Sequence, residues 1–355
     1  MNLKSLYLRN FRNYPEAEVH FSPQMNVLYG ENAQGKTNLL EAIYLIATGR
    51  SFRTPYLREL IREGETFFFL EAIISKEGFD HTVQIAFDGH IKKLTLDGNV
   101  YGSLQHLLGL LPSVLHTPWD SEIVDGSPAI RRRFLNLHLA QKDPLYIHHL
   151  TRYWRAMKQR NALLRGSDTS AIECWEIEMA DSAAYLWQTR IELIEAIKKP
   201  LEVNGFLLSS KKERHEIRFL PSADAKSYAA QLAKNRGREK LFGSTLLGPH
   251  RDDFSLWIDE KAARNFASEG QKKTAIFGLR LAEWELFMKV AGIPPLLSID
   301  DLGLHLDQTR QALFQNTLKA LGQTFITTPS LLDLPHATRF HISDGQILQA
   351  SQIVH

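Results

Sequence analysis

Apolar and polar positions alternate early in the chain. Ala17, Val19 and Phe21 are separated by polar neighbours, the period of a half-buried strand. Residues 67–74, 82–87 and 91–96 are β-rich runs, and Asp88-Gly89 and Asp97-Gly98 supply the turn chemistry of successive hairpins. Residues 25–29 read as a short buried strand, and 38–47 carry apolar residues at helical spacing. The first hundred residues are therefore predicted as strands around one helix. From Pro144 the period lengthens: 145–164 and 174–197 are long amphipathic helical patterns, joined by the loop-like Gly166-Ser167-Asp168-Thr169-Ser170. Mixed character returns near Gly248. A helix is predicted over 275–290, a buried strand over 296–299, and further strands over 324–328 and 339–342, with Ser343-Asp344-Gly345 turning the last one back. No internal repeat or low-complexity tract is present. The expected organisation is an α/β lobe built from 1–115 and 245–355, with a mainly helical lobe, 116–244, inserted between them.

At 355 residues the chain is long enough for about two domains. Cys174 is the only cysteine, so no intrachain disulfide is possible, which fits a reducing cytosol. The N-terminus lacks the apolar core of a signal peptide, and no apolar run approaches a membrane-spanning length. A cytoplasmic protein without membrane contact is expected. The formal net charge is only +2, yet residues 131–165 hold nine Lys/Arg against one acid, Asp143. These are Arg131, Arg132, Arg133, Lys142, Arg152, Arg155, Lys158, Arg160 and Arg165, and Lys234, Arg236, Arg238 and Lys240 form a second cluster. Such clustering is the footprint of a polyanion-binding surface; a solvated helix face paired with acids elsewhere would look the same. The histidines show no metal-ligand spacing, and His250 is expected to be structural. Trp154, Trp175 and Trp187 fall within the helical patterns and are expected in the core.

The strongest chemical signal is residues 30–37, Gly-Glu-Asn-Ala-Gln-Gly-Lys-Thr, which match G-x-x-x-x-G-K-[ST] between a predicted strand and a predicted helix. That order aims backbone N–H groups and a helix N-terminus at one small volume, suited to the phosphates of ATP or GTP. Gly30, Glu31, Asn32, Ala33, Gln34, Gly35, Lys36, Thr37 and Asn38 are the candidate nucleotide contacts. Lys36 would reach the β/γ oxygens and the Thr37 hydroxyl would ligate Mg²⁺. An apolar strand ending in Asp300-Asp301 supplies the expected Mg²⁺-linked carboxylate, Asp300, and an acid, Asp301, able to polarise an attacking water. Ser268, Gly270 and Gln271 open the predicted helix before it, offering hydroxyl, N–H and dipole contacts to a phosphate, or a plain N-cap. Arg50 and Arg53 could reach phosphate or DNA, or pair with Glu59 or Glu63.

Loop, Ser-x-Gly-Gln helix and Asp-Asp strand in this order resemble the ABC-type arrangement, in which the serine segment of one subunit closes over the nucleotide held by another. That resemblance implies an ATP-gated homodimer. Almost end to end, the sequence is similar to the RecF family, bacterial DNA replication and repair proteins related to SMC-type ATPase heads. The similarity is carried by Leu8-Arg9-Asn10-Phe11-Arg12-Asn13-Tyr14, residues 30–44, Gly49-Arg50-Ser51-Phe52-Arg53-Thr54, Asp125-Gly126-Ser127-Pro128, Arg131-Arg132-Arg133-Phe134-Leu135, Gln159-Arg160-Asn161-Ala162-Leu163-Leu164 and Gly248-Pro249-His250-Arg251-Asp252-Asp253. It implies an ABC/SMC-head-like P-loop ATPase lobe with a mostly helical second lobe. It also implies ATP-dependent binding of duplex, gapped or junction DNA, and action with RecR and RecO in loading RecA. Support of the SOS response and slow, DNA-stimulated hydrolysis with ATP and Mg²⁺ complete the expectation. Arg131, Arg132, Arg152, Arg155, Lys158 and Arg160 are the candidate DNA contacts.

Departures from the family pattern are Leu304-His305-Leu306-Asp307 at the expected subunit junction, Ser298 in the aliphatic strand, His116-Thr117-Pro118-Trp119-Asp120, Phe52, and Glu269 with Lys272-Lys273 in the serine segment. No histidine stands near Thr327-Thr328, so no γ-phosphate switch residue is assigned. A transporter-type ATPase or small-molecule kinase, and a nucleotide-binding scaffold without switching, are the competing readings.

Overall fold

A computed structural model describes residues 1–166, 170–292, 294–301, 321–331, 334 and 336–350. The segment Leu304-His305-Leu306-Asp307 and Ser167-Asp168-Thr169 of the loop after Gly166 lie outside the described residues. Backbone contacts divide the chain into two compact units, 1–120 with 280–355, and 121–279.

The first unit opens with β1 (Asn2–Phe11), β2 (Tyr14–His20), β3 (Met25–Tyr29) and α1 (Lys36–Thr48). It continues with β4 (Phe68–Lys76), β5 (Phe79–Phe87), β6 (Lys92–Leu96), β7 (Asn99–Tyr101) and β8 (Ser113–His116). The second unit holds α2 (Glu122–Asp125), α3 (Pro128–Lys142), α4 (Pro144–Arg165), α5 (Ile172–Leu208) and β9 (His215–Leu220). Then come α6 (Tyr228–Phe242), β10 (Asp253–Ile258), β11 (Lys261–Ala262) and α7 (Ala263–Phe266). Helix α8 (Glu269–Ala291) carries the chain back to the first unit, which ends with β12 (Leu296–Ile299), β13 (Thr324–Thr328), β14 (Thr338–Ser343) and β15 (Gln346–Ala350).

Two six-stranded sheets make up the first unit. One is antiparallel, in the order β2-β1-β4-β5-β6-β7. Its hairpins turn on Glu77-Gly78 (φ +53° and +87°) and Asp97-Gly98 (φ +49° and +80°). Left-handed backbone at both central residues matches the twist of the flanking strands. The other sheet runs β15-β14-β3-β13-β12-β8, parallel except for β15 at its edge. Strands β12 and β13 are buried along their whole length, as expected where both faces of a parallel sheet are covered. Helix α1 is buried almost all round, and its lack of a polar face follows from that position.

In the second unit α4 and α5 form an antiparallel hairpin, with α3, α6 and the small sheet β11-β10-β9. Its interior is held by buried charge. Arg190 donates to Asp252 Oδ2 (2.7 Å), the Pro249 carbonyl (2.7 Å) and Asn136 Oδ1 (2.9 Å), while the Trp187 indole donates to Asp252 Oδ1 (3.0 Å). Arg160 pairs with Glu176 (3.0 Å) and Glu239 (2.7 Å) and donates to Thr245 Oγ1 (2.9 Å).

These contacts explain two differences from expectation. The return to the first unit comes within α8, at Arg280, rather than near 245. Strand β10 pairs with β9, and Asp252 is anchored by α5, so residues 245–279 are tied to the helices that precede them. The basic segment is also not one surface. Arg160 is fully buried, and Arg131 is buried against Asp253 (2.6 and 3.0 Å). Arg132 donates to the Asp252 carbonyl (2.9 Å), and Arg152 is clamped by both oxygens of Glu178. Arg155 and Lys158 alone of the six candidate DNA contacts are exposed. Trp187 is in the core as expected and Trp175 is half-buried, but Trp154 is 47% exposed.

Removing Arg160 strands buried Glu239, whereas Glu176 keeps Arg236. Arg160→Met is expected to lower folding stability by about 3–5 kcal/mol, read as a fall in the urea midpoint. A midpoint shift within error would show that Glu239 finds another partner. His250 supplies a pH test: its Nε2 donates to the Thr245 carbonyl (3.1 Å), and its Nδ1 meets the Tyr153 hydroxyl (2.7 Å). Burial pulls its pKa down from 6.5 to about 4. The unfolded chain therefore takes up this proton at a higher pH than the folded one. The contribution to stability is complete above pH 6.5 and is lost as the pH falls toward 4. His250→Gln should flatten the stability-versus-pH curve in that window.

Candidate nucleotide-binding site

Strands β3, β13 and β12 end side by side. Their register pairs Tyr29 with Thr328, and Ile326 with Val27 on one side and Ile299 on the other. The carboxyl ends of parallel strands are where open α/β sheets place ligands. The loop 30–35 leaves β3 here and enters α1 at Lys36. Gly30 has φ +148°, and a Cβ on it would stand 2.2 Å from the Ile342 carbonyl oxygen, so only glycine fits.

Lys36 is buried, and its ammonium donates to the carbonyls of Gly30 and Glu31 (both 2.6 Å). Burial lowers its pKa, opposed by the nearby charges of Asp301 and Asp300. One residue on, the Thr37 hydroxyl donates to Asp300 Oδ1 (2.9 Å). The Thr327 hydroxyl donates to the same oxygen (2.7 Å) and accepts from the Asp301 N–H (2.7 Å). Asp300 is only 5% exposed, and desolvation raises its pKa. Asp301 leaves the strand with φ +61°, a left-handed turn that separates its side chain from the strand's alternation.

The loop is braced from outside. Asn13 Nδ2 and the Gly345 N–H both donate to the Gln34 carbonyl (3.0 and 3.1 Å), and the Tyr14 hydroxyl donates to that of Gly35 (3.0 Å). The Asp344 N–H donates to Gln34 Oε1 (2.6 Å), and Asn38 Nδ2 to Asn13 Oδ1 (2.8 Å). Buried Glu41, on α1, accepts two bonds from Arg12 (2.9 and 2.8 Å) and one from Ser51. Arg53 turns toward Asn38 (2.7 Å) and Glu41 (3.5 Å), not toward Glu59 or Glu63, and Arg50 is exposed.

The structure thus gathers Gly30, Gln34, Gly35, Lys36, Thr37, Asn38, Asp300 and Asp301 in one place, with Glu31, Asn32 and Ala33 on the exposed crest of the loop. Ser268, Gly270 and Gln271 belong to the other unit. There Ser268 and Gln271 close a capping box on α8, Gln271 N–H to Ser268 Oγ (3.3 Å) and Ser268 N–H to Gln271 Oε1 (2.9 Å). Lys272 pairs with Asp125 (2.9 Å) and Glu269 (3.1 Å). Sequence reasoning missed Thr327 and the brace from Asn13, Tyr14 and Gly345. A hydroxyl at the end of the strand next to Asp300 was the available signal for Thr327. Among the described residues no group of three or more His, Cys, Asp or Glu could hold a metal ion. Also among them, no helix is long and apolar enough to cross a membrane.

Residues 2–332 match the family model described as the RecF/RecN/SMC N terminal domain. The chain is 43% identical to the DNA replication and repair protein RecF of Protochlamydia amoebophila, over 94% of this chain and 96% of that one. This chain belongs to the RecF family. It is 34% identical to the RecF of Oceanobacillus iheyensis, over 98% of this chain and 100% of the relative. A solved structure of the recombination mediator protein RecF with ATP in the RecFOR pathway superposes with a TM-score of 0.92, at 30% identity, over 98% of this chain and 97% of the other. An SMC head bound to the C-winged helix domain of ScpA has a TM-score of 0.61 at 14% identity, over 99% and 98% of the two chains. It shares the fold, an ABC/SMC-head-like P-loop lobe with a mostly helical second lobe.

Asp300→Asn removes a buried charge and keeps an oxygen that can accept from both hydroxyls. In the ligand-free protein the thermal midpoint at neutral pH should rise by about 2–4 °C. A carboxyl with a raised pKa is penalised only while ionised, so the gain should shrink as the pH falls and the parent's Asp300 takes its proton. A gain that persists at low pH would mean that burial of the charge is not the cause.

Proposed function

We propose that this chain is an ATP-dependent DNA-binding protein of recombinational repair and replication-fork recovery, in which two copies close around nucleotide. The observation that carries the reading is the meeting of Thr37 with Asp300. A phosphate-loop hydroxyl and a strand-end carboxylate, far apart in sequence, share one hydrogen bond at the mouth of the glycine loop. Gly30 to Asn38 wrap the phosphates with backbone N–H groups. Lys36 exchanges its two carbonyl partners for β/γ oxygens. Thr37 and Asp300, already joined at the mouth of the loop, are the residues that would hold Mg²⁺. A site of few protein ligands suits this ion, which keeps several waters and takes phosphate oxygens. When bound, the ion would supply positive charge against that developing on the phosphates. Asp301 orients and polarises the attacking water.

Ser268, Gly270 and Gln271, at the N-terminus of α8, contact the nucleotide held by the other copy. Ser268 is exposed, and its hydroxyl, which accepts from the Gln271 N–H, has its own hydrogen to donate to a phosphate of a second molecule. The relatives' description as DNA replication and repair proteins, and the solved RecF–ATP complex in the RecFOR pathway, support the same assignment. On this reading the partners are gapped or duplex DNA and single-strand junctions, RecR and RecO directly, and RecA through them, with the SOS response downstream. The setting is cytoplasmic, and hydrolysis is slow and stimulated by DNA.

Sizing and DNA binding, each without nucleotide, with ADP and with ATP, test the proposal on the parent and on Lys36→Met. ATP alone should convert monomer to dimer and tighten DNA binding by at least about tenfold, and the substitution should abolish both. DNA affinity that ignores nucleotide, and is the same in Lys36→Met, would refute the clamp. Turnover indifferent to DNA would favour a transporter-type or kinase ATPase.

A further inference from the structure

Once Arg131, Arg152 and Arg160 are spoken for by buried or clamping acids, the second unit keeps a compact set of cations with no ion pair among the described residues. Arg155, Lys158 and Arg165 are exposed on α4, and Lys234, Arg238 and Lys240 on α6. On α4, Trp154, Lys158 and Arg165 recur at i, i+4 and i+11, with Arg155 beside them. At 3.6 residues per turn they share one face, spanning ~16 Å along the axis. A ring and three cations lie on that face.

The face leads to the end of α6. Leu241 and Phe242 are 86% and 63% exposed, side by side in the last turn. They are not a frayed end. Gly243 caps the helix at φ +61°, its N–H directed to the carbonyls of Glu239 and Lys240. Buried Glu239 pairs with Arg160 (2.7 Å) and accepts from the Leu246 N–H (2.7 Å). The following Thr245 is fastened to Asn161 of α4 through its N–H (2.8 Å) and hydroxyl (2.7 Å). A Cβ on Gly243 would stand 2.8 Å from Cγ of Arg165, so the stem of that arginine lies against the cap, beside Phe242. Two large apolar side chains thus stand in water at a fixed helix end, with exposed Arg238 and Lys240 on the same last turns and Arg165 against the cap.

We propose that this end of the second unit is a nucleic-acid subsite that reads unstacked bases. The α4 face neutralises phosphates, and Leu241 with Phe242 pack against a base that has no partner strand, at a single-stranded extension or gap edge. The occupant follows from the chemistry. Unneutralised cations select a polyanion, and an apolar tip among them has nothing to touch on an intact duplex but finds a π-face wherever stacking is broken. This rests on the proposed DNA binding, which already includes single-strand junctions, and adds where on the chain the unpaired base is met.

The test uses the full chain with ATP, titrated against a blunt duplex and the same duplex carrying a single-stranded extension. Leu241→Ser combined with Phe242→Ser should weaken binding to the extended DNA about tenfold and to the blunt duplex less than about twofold. Lys158→Glu combined with Arg165→Glu should weaken both and flatten the salt dependence of each. A serine pair that leaves the extended DNA unaffected overturns the proposal, and marks the tip as a site for a partner protein. A serine pair that weakens both DNAs equally overturns it as well. If the serine pair does not fold, Phe242→Trp replaces it. Its fluorescence should be quenched by the extended DNA and unchanged by the blunt one, and equal responses overturn the proposal. Failure of the underlying reading looks different: the parent then binds neither DNA while ATP still raises its thermal midpoint.

Discussion

One carboxylate oxygen, Oδ1 of Asp300, joins three segments that the chain delivers separately. It accepts from Thr37 at the start of α1 and from Thr327 at the end of β13, while the backbone of Asp300 continues β12. The strand order β3-β13-β12 makes this geometry available, because it puts Thr327 between the glycine loop and the acid. Burying a charge is costly, and the raised pKa of Asp300 records that cost. Two hydroxyl donors on one oxygen offset part of it and leave the second oxygen for other partners.

Burial and charge are distributed differently in the second unit. A run of positive residues looks in sequence like a single surface, yet its members have opposite fates. Arg160 and Arg131 crosslink helices and strands from within, and their acids, Glu176, Glu239 and Asp253, come from distant positions. Arg155 and Lys158 remain in solvent. Arginine is suited to the first role, since its planar fork satisfies several acceptors at once. Lysine fits the second. The same cluster thus supplies architecture and surface potential together.

What the sequence revealed depended on how local the cause was. The glycine loop, the strand before it and the helix after it are set by adjacent residues, and so are the hairpin turns at Asp97-Gly98 and Asp344-Gly345. Strands β12 and β13 were legible as short runs of aliphatic, aromatic and β-branched residues. The pairing of β9 with β10 was not: β10 alternates buried and half-buried residues, but helix α6 lies between the two strands in sequence, and alternation names no partner. The brace on the loop also escaped notice: the Asn13 side chain and the Gly345 N–H both meet a backbone carbonyl, that of Gln34, and a backbone acceptor leaves little trace in residue pattern. The exposure of Trp154 was misjudged because helical periodicity tells which residues share a face, not which face finds a neighbour.

Strand β3 is complete by residue 29, but its two sheet neighbours, β13 and β14, and the turn that grips Gln34 lie some three hundred residues downstream. A nascent chain emerging from the ribosome therefore carries the phosphate loop for most of its synthesis without the strands that shape it. Translation has to pass Gly345 before the loop meets its last brace. Unfinished chains should accordingly hold this loop without its brace, so that its shape is one of the last features of the first unit to be fixed.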